Sequence, residues 1–385
     1  MSNLKKIVIH QPIARFIGNH QYVEQVGLLW SRKAPEVSII SDYSGDQPAL
    51  SYYPVYKGVF NKKNKIIKFF ILLLSILRSV SLIFKLKPDI LNIHIFDMQI
   101  SDVVFLLLVK ALRDVNILVT VHDVSNISGK SRFHSITESF KPFFFKRVDF
   151  FNVHTEFAES QLKQYFLEKN IKFKENLLVF PAPDYIGTYS DRNGLKYRYD
   201  LRGAKVNFLV FGQIKASKRL DLVIEAAWRL RHRCDWHLTI RGKLRDFNLD
   251  KYQKKLRDLK ASGHCDYQFG FIDEESLEPI LQKSDVALLP YDNIYNSGVL
   301  INMLARSIPC LTSDHPIFVA SSSYGQLNMV HKRGDLEDLV NRIVEFIEFG
   351  NLSYARDRAS EIFELMYSPA AVDEQFELSY RSVFP

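Results

Sequence analysis

The chain of 385 residues has only three cysteines, Cys234, Cys265 and Cys310, far apart and in no metal-ligand spacing. They read as reduced thiols of a cytosolic protein, not as a disulfide framework. Neither a Walker loop nor a G-x-G-x-x-G fingerprint occurs, so the usual signatures of a P-loop or dinucleotide site are excluded. No acidic D-x-D stands beside a strand and the histidines are scattered, so neither a metal nor a resident cofactor is expected. Pro-rich or Gly/Ser-rich tracts, long charge blocks and short internal repeats are missing, which excludes large disordered regions. The start, MSNLKKIVIHQP, has too short an apolar stretch before Pro12 for a signal peptide and reads as a first β-strand.

What is present describes a soluble α/β protein. Hydrophobic residues at 47% and charged residues at 24% are ordinary for a globular chain, and the length suits two domains of about 150–200 residues each. The net charge of +8 points to an anionic partner: nucleic acid, a membrane surface or a phosphorylated small molecule. No recognisable nucleic-acid module accompanies that charge, so no nucleic acid is expected. Residues 66–84 are nearly continuously apolar and about as long as a membrane span. The central Arg78 argues against spanning, at roughly 2.5–3.5 kcal/mol on insertion scales.

Short strand-like runs alternate with helical stretches throughout, the pattern of parallel α/β sheets. In the first half strands are expected at 5–10, 37–40, 90–95, 116–122, 150–155 and 176–181, and helices near 20–32, 62–86, 100–112, 131–147 and 156–168. In the second half strands are expected at 207–212, 236–242, 265–270, 285–290, 310–313 and 328–330. Helices there fall near 218–232, 250–261, 274–283, 298–307, 335–349 and 352–364. Residues 182–206 mix Pro, Gly, Asp, Arg and Lys as a linker does. Ligands bind such sheets beyond the carboxyl ends of the strands, so functional residues are sought there.

Two loops qualify. In F-G-Q-I-K-A-S-K-R-L-D, residues 211–221, a strand ends at Gly212 and a polar loop carries Gln213, Lys215 and Lys218. A lysine there meets a diphosphate as a point charge, while a plain βα loop with two solvated lysines is the alternative. In S-D-V-A-L-L-P-Y-D-N-I-Y-N-S-G-V-L-I-N, residues 284–302, a strand ends at Pro290 and Ser297 caps a helix. Gly298 allows close approach to bare backbone N–H groups, and Asn302, one turn on, is placed to meet a ligand hydroxyl or solvent.

These segments resemble the donor domain of the retaining glycosyltransferases of family 4. Gly212 and Lys218, the turn Gly270-Phe271-Ile272, the strand from Asp285 to Pro290, and Pro309 match its pattern. The resemblance implies a GT-B architecture: two Rossmann-like, doubly wound domains facing across a cleft. Residues 1–190 form the acceptor-side domain, 191–364 the donor domain, and 365–385 a helix that returns to the first. It implies that Lys218 binds the donor diphosphate, that Ile272 lies near the base, and that the backbone of Ser297, Gly298, Val299 and Leu300 completes a phosphate cradle. Gln213 stands where the family has arginine, with Lys215 as a partial replacement. Ile294 and Asn302 stand where it has two glutamates.

In the first half the resemblance is looser. It puts His122 near the donor sugar, Gly18 and Asn19 in a glycine loop beside the reacting sugar, and Tyr185 along the cleft. The implied reaction moves a hexose-type sugar from a nucleoside diphosphate sugar to a glycan acceptor, lipid-linked in bacterial surface polysaccharide assembly, without metal. A sugar-nucleotide epimerase of the same fold and a non-catalytic subunit that binds sugar nucleotide or membrane are the alternatives. Residues 61–88, basic and without an acidic residue, and 140–147, FKPFFFKR, combine cations with apolar groups as an anionic lipid surface requires. A core helix with a basic rim is the other reading of 61–88. The expected location is the cytoplasm, peripheral on the inner face of the cell membrane.

Overall fold

The computed structural model describes residues 4–14, 19–96, 98–124, 132–172, 176–183, 205–272, 274–322 and 329–384. The chain forms two compact units. One takes the described residues within Met1–Asn126, Lys130–Gly187 and Pro369–Pro385, the other those within Thr188–Ser368.

The first unit is built on a sheet of β1 (Lys6–Gln11), β2 (Glu36–Ser41), β3 (Leu50–Tyr53), β4 (Ile90–Ile95), β5 (Asn116–Val121), β6 (Phe150–Val153) and β7 (Leu177–Val179). All pairings are parallel and the order is β3-β2-β1-β4-β5-β6-β7. Its helices are α1 (His20–Ser31), α2 (Lys65–Leu86), α3 (Ile100–Leu112), α4 (Arg132–Phe145) and α5 (Glu156–Glu168). The central strands are buried on both faces, as a parallel sheet between helix layers must be. Start signals are local. Asn64 Oδ1 accepts from the N–H groups of Ile66 and Ile67, which starts α2 at Lys65 and not at the expected 62. Thr155 caps α5 by accepting from the N–H of Ala158.

The second unit is built on β8 (Val206–Phe211), β9 (Trp236–Gly242), β10 (Cys265–Phe269), β11 (Val286–Leu289), β12 (Cys310–Ser313) and β13 (Val330–His331). These strands too are parallel, in the order β10-β9-β8-β11-β12-β13. The helices are α6 (Leu220–Arg229), α7 (Gln253–Ala261), α8 (Glu274–Gln282), α9 (Gly298–Ala305), α10 (Pro316–Ser322), α11 (Leu336–Phe349) and α12 (Leu352–Met366). Trp236, Leu238 and Ile240 line one face of β9 and share a core with Val223 of α6, Leu256 of α7 and Ile343 of α11.

The expected helix at 218–232 is corrected. Ala216–Lys218 form a separate 3-10 turn, and Arg219, at φ +53°, breaks the path before α6 begins at Leu220. Its guanidinium binds the Asp221 carboxylate with two nitrogens and reaches Asp292 Oδ2 at 2.8 Å, which holds this left-handed backbone. A last helix, α13 (Pro369–Val383), belongs to the first unit. Phe376 meets the rings of Trp30 and Phe180 edge-on, and Ser379 Oγ accepts from the N–H of Val179, so α13 covers the free edge of β7.

Candidate active site

In an open parallel sheet, the crevice for a ligand lies where the strand order reverses. In the second unit that point falls between β8 and β11. The two loops singled out in the sequence follow these two strands.

The loop after β8 is fixed by its neighbours. Gly212 has φ +98°, and a Cβ there would lie 3.0 Å from Val299 Cγ2 of α9 and 3.4 Å from Lys218 Nζ. Gly212, Lys218 and Val299 therefore meet around one point. The Lys218 ammonium also stands 5.1 Å from the centre of the Tyr291 ring, just beyond β11. Among the described residues Lys218 Nζ makes no hydrogen bond and no ion pair. Lost hydration, and then the charge of Lys215, push its pKa down to about 7. A half-buried cation without a counter-ion is what an anionic ligand would complete.

The α9 end supplies donors to the same point. Ser297 Oγ accepts from the N–H of Leu300 at 3.1 Å, and the N–H of Ser297 donates to Asn296 Oδ1 at 2.9 Å. The N–H groups of Gly298 and Val299 make no hydrogen bond among the described residues, as expected at a helix start. The two loops are stitched together: the N–H of Asp292 donates to Ser217 O, and Arg219 bridges to the Asp292 carboxylate.

Asn302, expected to meet a ligand hydroxyl or solvent, lies one turn into α9. It is only 2% exposed, and its Oδ1 accepts from Arg306 Nη1 at 3.0 Å, while Arg306 Nε pairs with Glu278. Its carboxamide oxygen is thus committed within the second unit. Ile272 lies beyond β10, two strands from β8, and is half-buried. Gln213 Oε1 accepts from Arg245 Nε at 3.4 Å.

Gly242, Tyr291, Arg219, Asp292 and Arg245 join the two loops only in the folded chain. Gly242 ends the strand WHLTIRG and has φ +151°; a Cβ there would run into the carbonyl oxygen of Gly212. The signal was a glycine closing a strand beside another glycine-closed strand, but only the pairing of β8 with β9 shows them to touch.

In the first unit, alternation along β4, β5 and β6 and just beyond their ends sets Asn92 and His94, Thr120 and His122, and Asn152 and His154 on one face of the sheet. His122 Nε2 lies 3.4 Å from His94 Nδ1, and His122 stacks on Phe96 at 3.6 Å between ring centres. His154 Nδ1 faces Phe180 O at 3.1 Å and so carries the proton, leaving Nε2 to accept from the Tyr22 hydroxyl at 2.6 Å. Burial lowers the pKa of His94 to about 3 and of His154 to about 4, and that of His122 well below its usual value. The cluster is therefore neutral at pH 7, able to hydrogen-bond hydroxyl groups but not to neutralise an anion. Asn19 precedes α1, its N–H donating to Ala14 O at 2.7 Å. Gly18 and Tyr185 lie outside the described residues. Among the described residues no group of three His, Cys, Asp or Glu side chains is arranged to hold a metal ion.

Comparison with known proteins bears on the fold and on the second unit. Residues 205–348 match the family model described as Glycosyl transferases group 1. No curated protein matches the sequence. Among solved structures, the sucrose-phosphate synthase of Thermosynechococcus elongatus superposes with a TM-score of 0.72 at 12% identity, over 99% of both chains. The lipopolysaccharide outer core galactosyltransferase WaaB gives 0.63 at 15% identity, over 98% of this chain and 99% of its own. Anabaena Alr3699/HepE, in complex with UDP and glucose, gives 0.67 at 10% identity, over 98% and 100%. The fold is GT-B, and the stretch that matches the Glycosyl transferases group 1 model lies within the second unit.

Proposed function

We propose that the protein is a glycosyltransferase that moves a hexose-type sugar from a nucleoside diphosphate sugar to a hydroxyl of a glycan acceptor, with retained anomeric configuration. The observation that carries this reading is one meeting point in the second unit. It joins the Lys218 ammonium, without a counter-ion among the described residues, to the bare backbone of Gly212 and the open N–H groups of α9. In the reaction the bond between the sugar's anomeric carbon and the diphosphate oxygen breaks. The acceptor oxygen bonds to that carbon on the same face, and its proton passes to the departing phosphate. The demand is to stabilise charge growing on the diphosphate, which preorganised cations and N–H groups meet. Ile272 is assigned to the base, and the neutral His122 to sugar hydroxyls. Lys218 and the helix start take the part a divalent ion plays elsewhere, so no metal is required.

The complexes of related folds support the donor class, since Alr3699/HepE is solved with UDP and glucose. An acceptor on a lipid is supported by the exposed apolar and basic surface of the first unit. The test is titration with nucleoside diphosphates, followed by donor hydrolysis in excess chelator. Lys218→Ala is expected to lose about 1.5–3 kcal/mol of diphosphate affinity, the usual size of a charge-assisted hydrogen bond. Unchanged affinity removes Lys218 from the site. Activity lost in chelator and restored by magnesium contradicts the metal-free scheme.

A further inference from the structure

We propose that Arg245, from the loop after β9, is a second cation of the diphosphate site, held there by Gln213. This rests on the donor reading above and adds a residue that the loops after β8 and β11 do not contain.

The diphosphate of a nucleotide sugar is a multiply charged anion at neutral pH, whereas the Lys218 ammonium carries a single positive charge. The α9 N–H groups add dipoles and no net charge. Besides Lys215 on the β8 loop itself, a further cation can come from a neighbouring strand end, and β9 is the strand paired with β8. The loop that leaves β9 is tied to the Gly212 loop along its length. The N–H of Gly212 donates to Arg241 O, that of Ile214 to Lys243 O, that of Arg245 to Ile214 O, and that of Ala216 to Asp246 Oδ1 at 2.8 Å. This ladder fixes the backbone of Arg245 against residues 212–216, and contact between the Gly212 and Gly242 backbones leaves it no slack.

The side chain is free to serve. Arg245 is exposed and has no carboxylate partner among the described residues; Asp246 beside it is turned to the N–H of Ala216. Its guanidinium instead meets Gln213 Oε1, one residue from Gly212, through Nε at 3.4 Å. That contact leaves both terminal nitrogens, the pair that grips phosphate oxygens in a fork, for a ligand. Gln213 is thus a positioning residue: a neutral acceptor orients the guanidinium without cancelling its charge.

The test uses the full chain and whichever of UDP, GDP and ADP binds most tightly, with the matching nucleoside as control. Arg245→Ala is expected to weaken the diphosphate by about tenfold or more, the scale of one charge-assisted contact, and to leave the nucleoside unchanged. Adding Gln213→Arg to Arg245→Ala should return diphosphate affinity to within about threefold of wild type, because a guanidinium is restored at the same place. If Arg245→Ala leaves the diphosphate unaffected while Lys218→Ala weakens it, the donor reading stands and Arg245 is no part of it. Equal weakening of diphosphate and nucleoside assigns Arg245 a merely structural role and overturns the proposal. Failure of the double variant to recover overturns the pairing with Gln213. Wild-type protein that binds none of the three diphosphates refutes the donor reading and this one together.

Discussion

At the scale of single residues, the most informative group is Lys218. An ammonium with a pKa near 7 in the free protein gives a pH-dependent affinity, because anion binding favours its charged form. Below about pH 7 the free protein is already protonated and affinity is flat. Above it each bound anion must first draw in a proton, so affinity falls by up to about tenfold per pH unit until the pKa of the bound state is reached. A nucleotide sugar is the proper probe, since its diphosphate has no proton to lose in this range. Titrations from about pH 6 to 9 should show that fall in the wild type, and Lys218→Arg should abolish it because a guanidinium stays charged. A flat wild-type profile would mean that Lys218 does not touch the diphosphate. The buried histidines do not confuse the reading: with His94 near 3 and His154 near 4, they add no step in this window.

At the scale of elements, the strands that read most clearly are those whose apolar runs are bounded by turns. Ile90–Ile95, Trp236–Gly242 and Cys310–Ser313 are legible residue for residue. β3 is not, because Leu50–Tyr53 lies at the sheet edge with only Leu50 buried and leaves no apolar run to see. α10, Pro316–Ser322, is too short for its periodicity to show. The break at Arg219 is hidden for another reason: it is held by Asp292, a partner from a different strand's loop. The same holds for the strand-end contact of Gly212 with Gly242, which exists only once β8 and β9 pair. Its importance can be measured. Gly242→Ala would drive a methyl group into the Gly212 carbonyl, so the β8 loop must move. Such a change is expected to lower stability by about 1–3 kcal/mol and to weaken diphosphate binding together with it. A Gly242→Ala protein with wild-type melting temperature and affinity would show that the two loops are not coupled.

At the scale of the whole molecule, the feature left over is the outer surface of the first unit. α2 is long and apolar enough to cross a membrane by length and composition, yet one face of it is committed to the fold. Ile76, Val80 and Ile83 are buried, Ser75 Oγ donates to Val55 O, and Ser79 Oγ donates to the Tyr56 hydroxyl. The other face exposes Ile66, Phe69, Phe70, Leu74 and Leu77, and the neighbouring α3 adds Ile100, Val104 and Leu107. The expected 140–147 cluster is half corrected. Phe144, Phe145 and Lys141 are buried, with Lys141 Nζ donating to Val124 O, while Phe140, Phe143, Lys146 and Arg147 face outward. An apolar face fixed on one side and rimmed by Lys62, Lys63, Lys65, Arg78, Lys85 and Lys87 suits lying on an anionic bilayer, not spanning it. At about 1 kcal/mol per engaged cation, part of that rim is enough for reversible attachment. Sedimentation should therefore find the protein on anionic vesicles, absent from zwitterionic ones, and released at about 1 M salt, where the Debye length is about 3 Å. Replacing Lys62, Lys63 and Lys65 by Glu should release it at low salt without changing nucleotide affinity. Retention at high salt would mean that the exposed apolar face of α2 and α3, and not the basic rim, holds the protein, and wild-type protein that ignores anionic vesicles would favour a soluble acceptor.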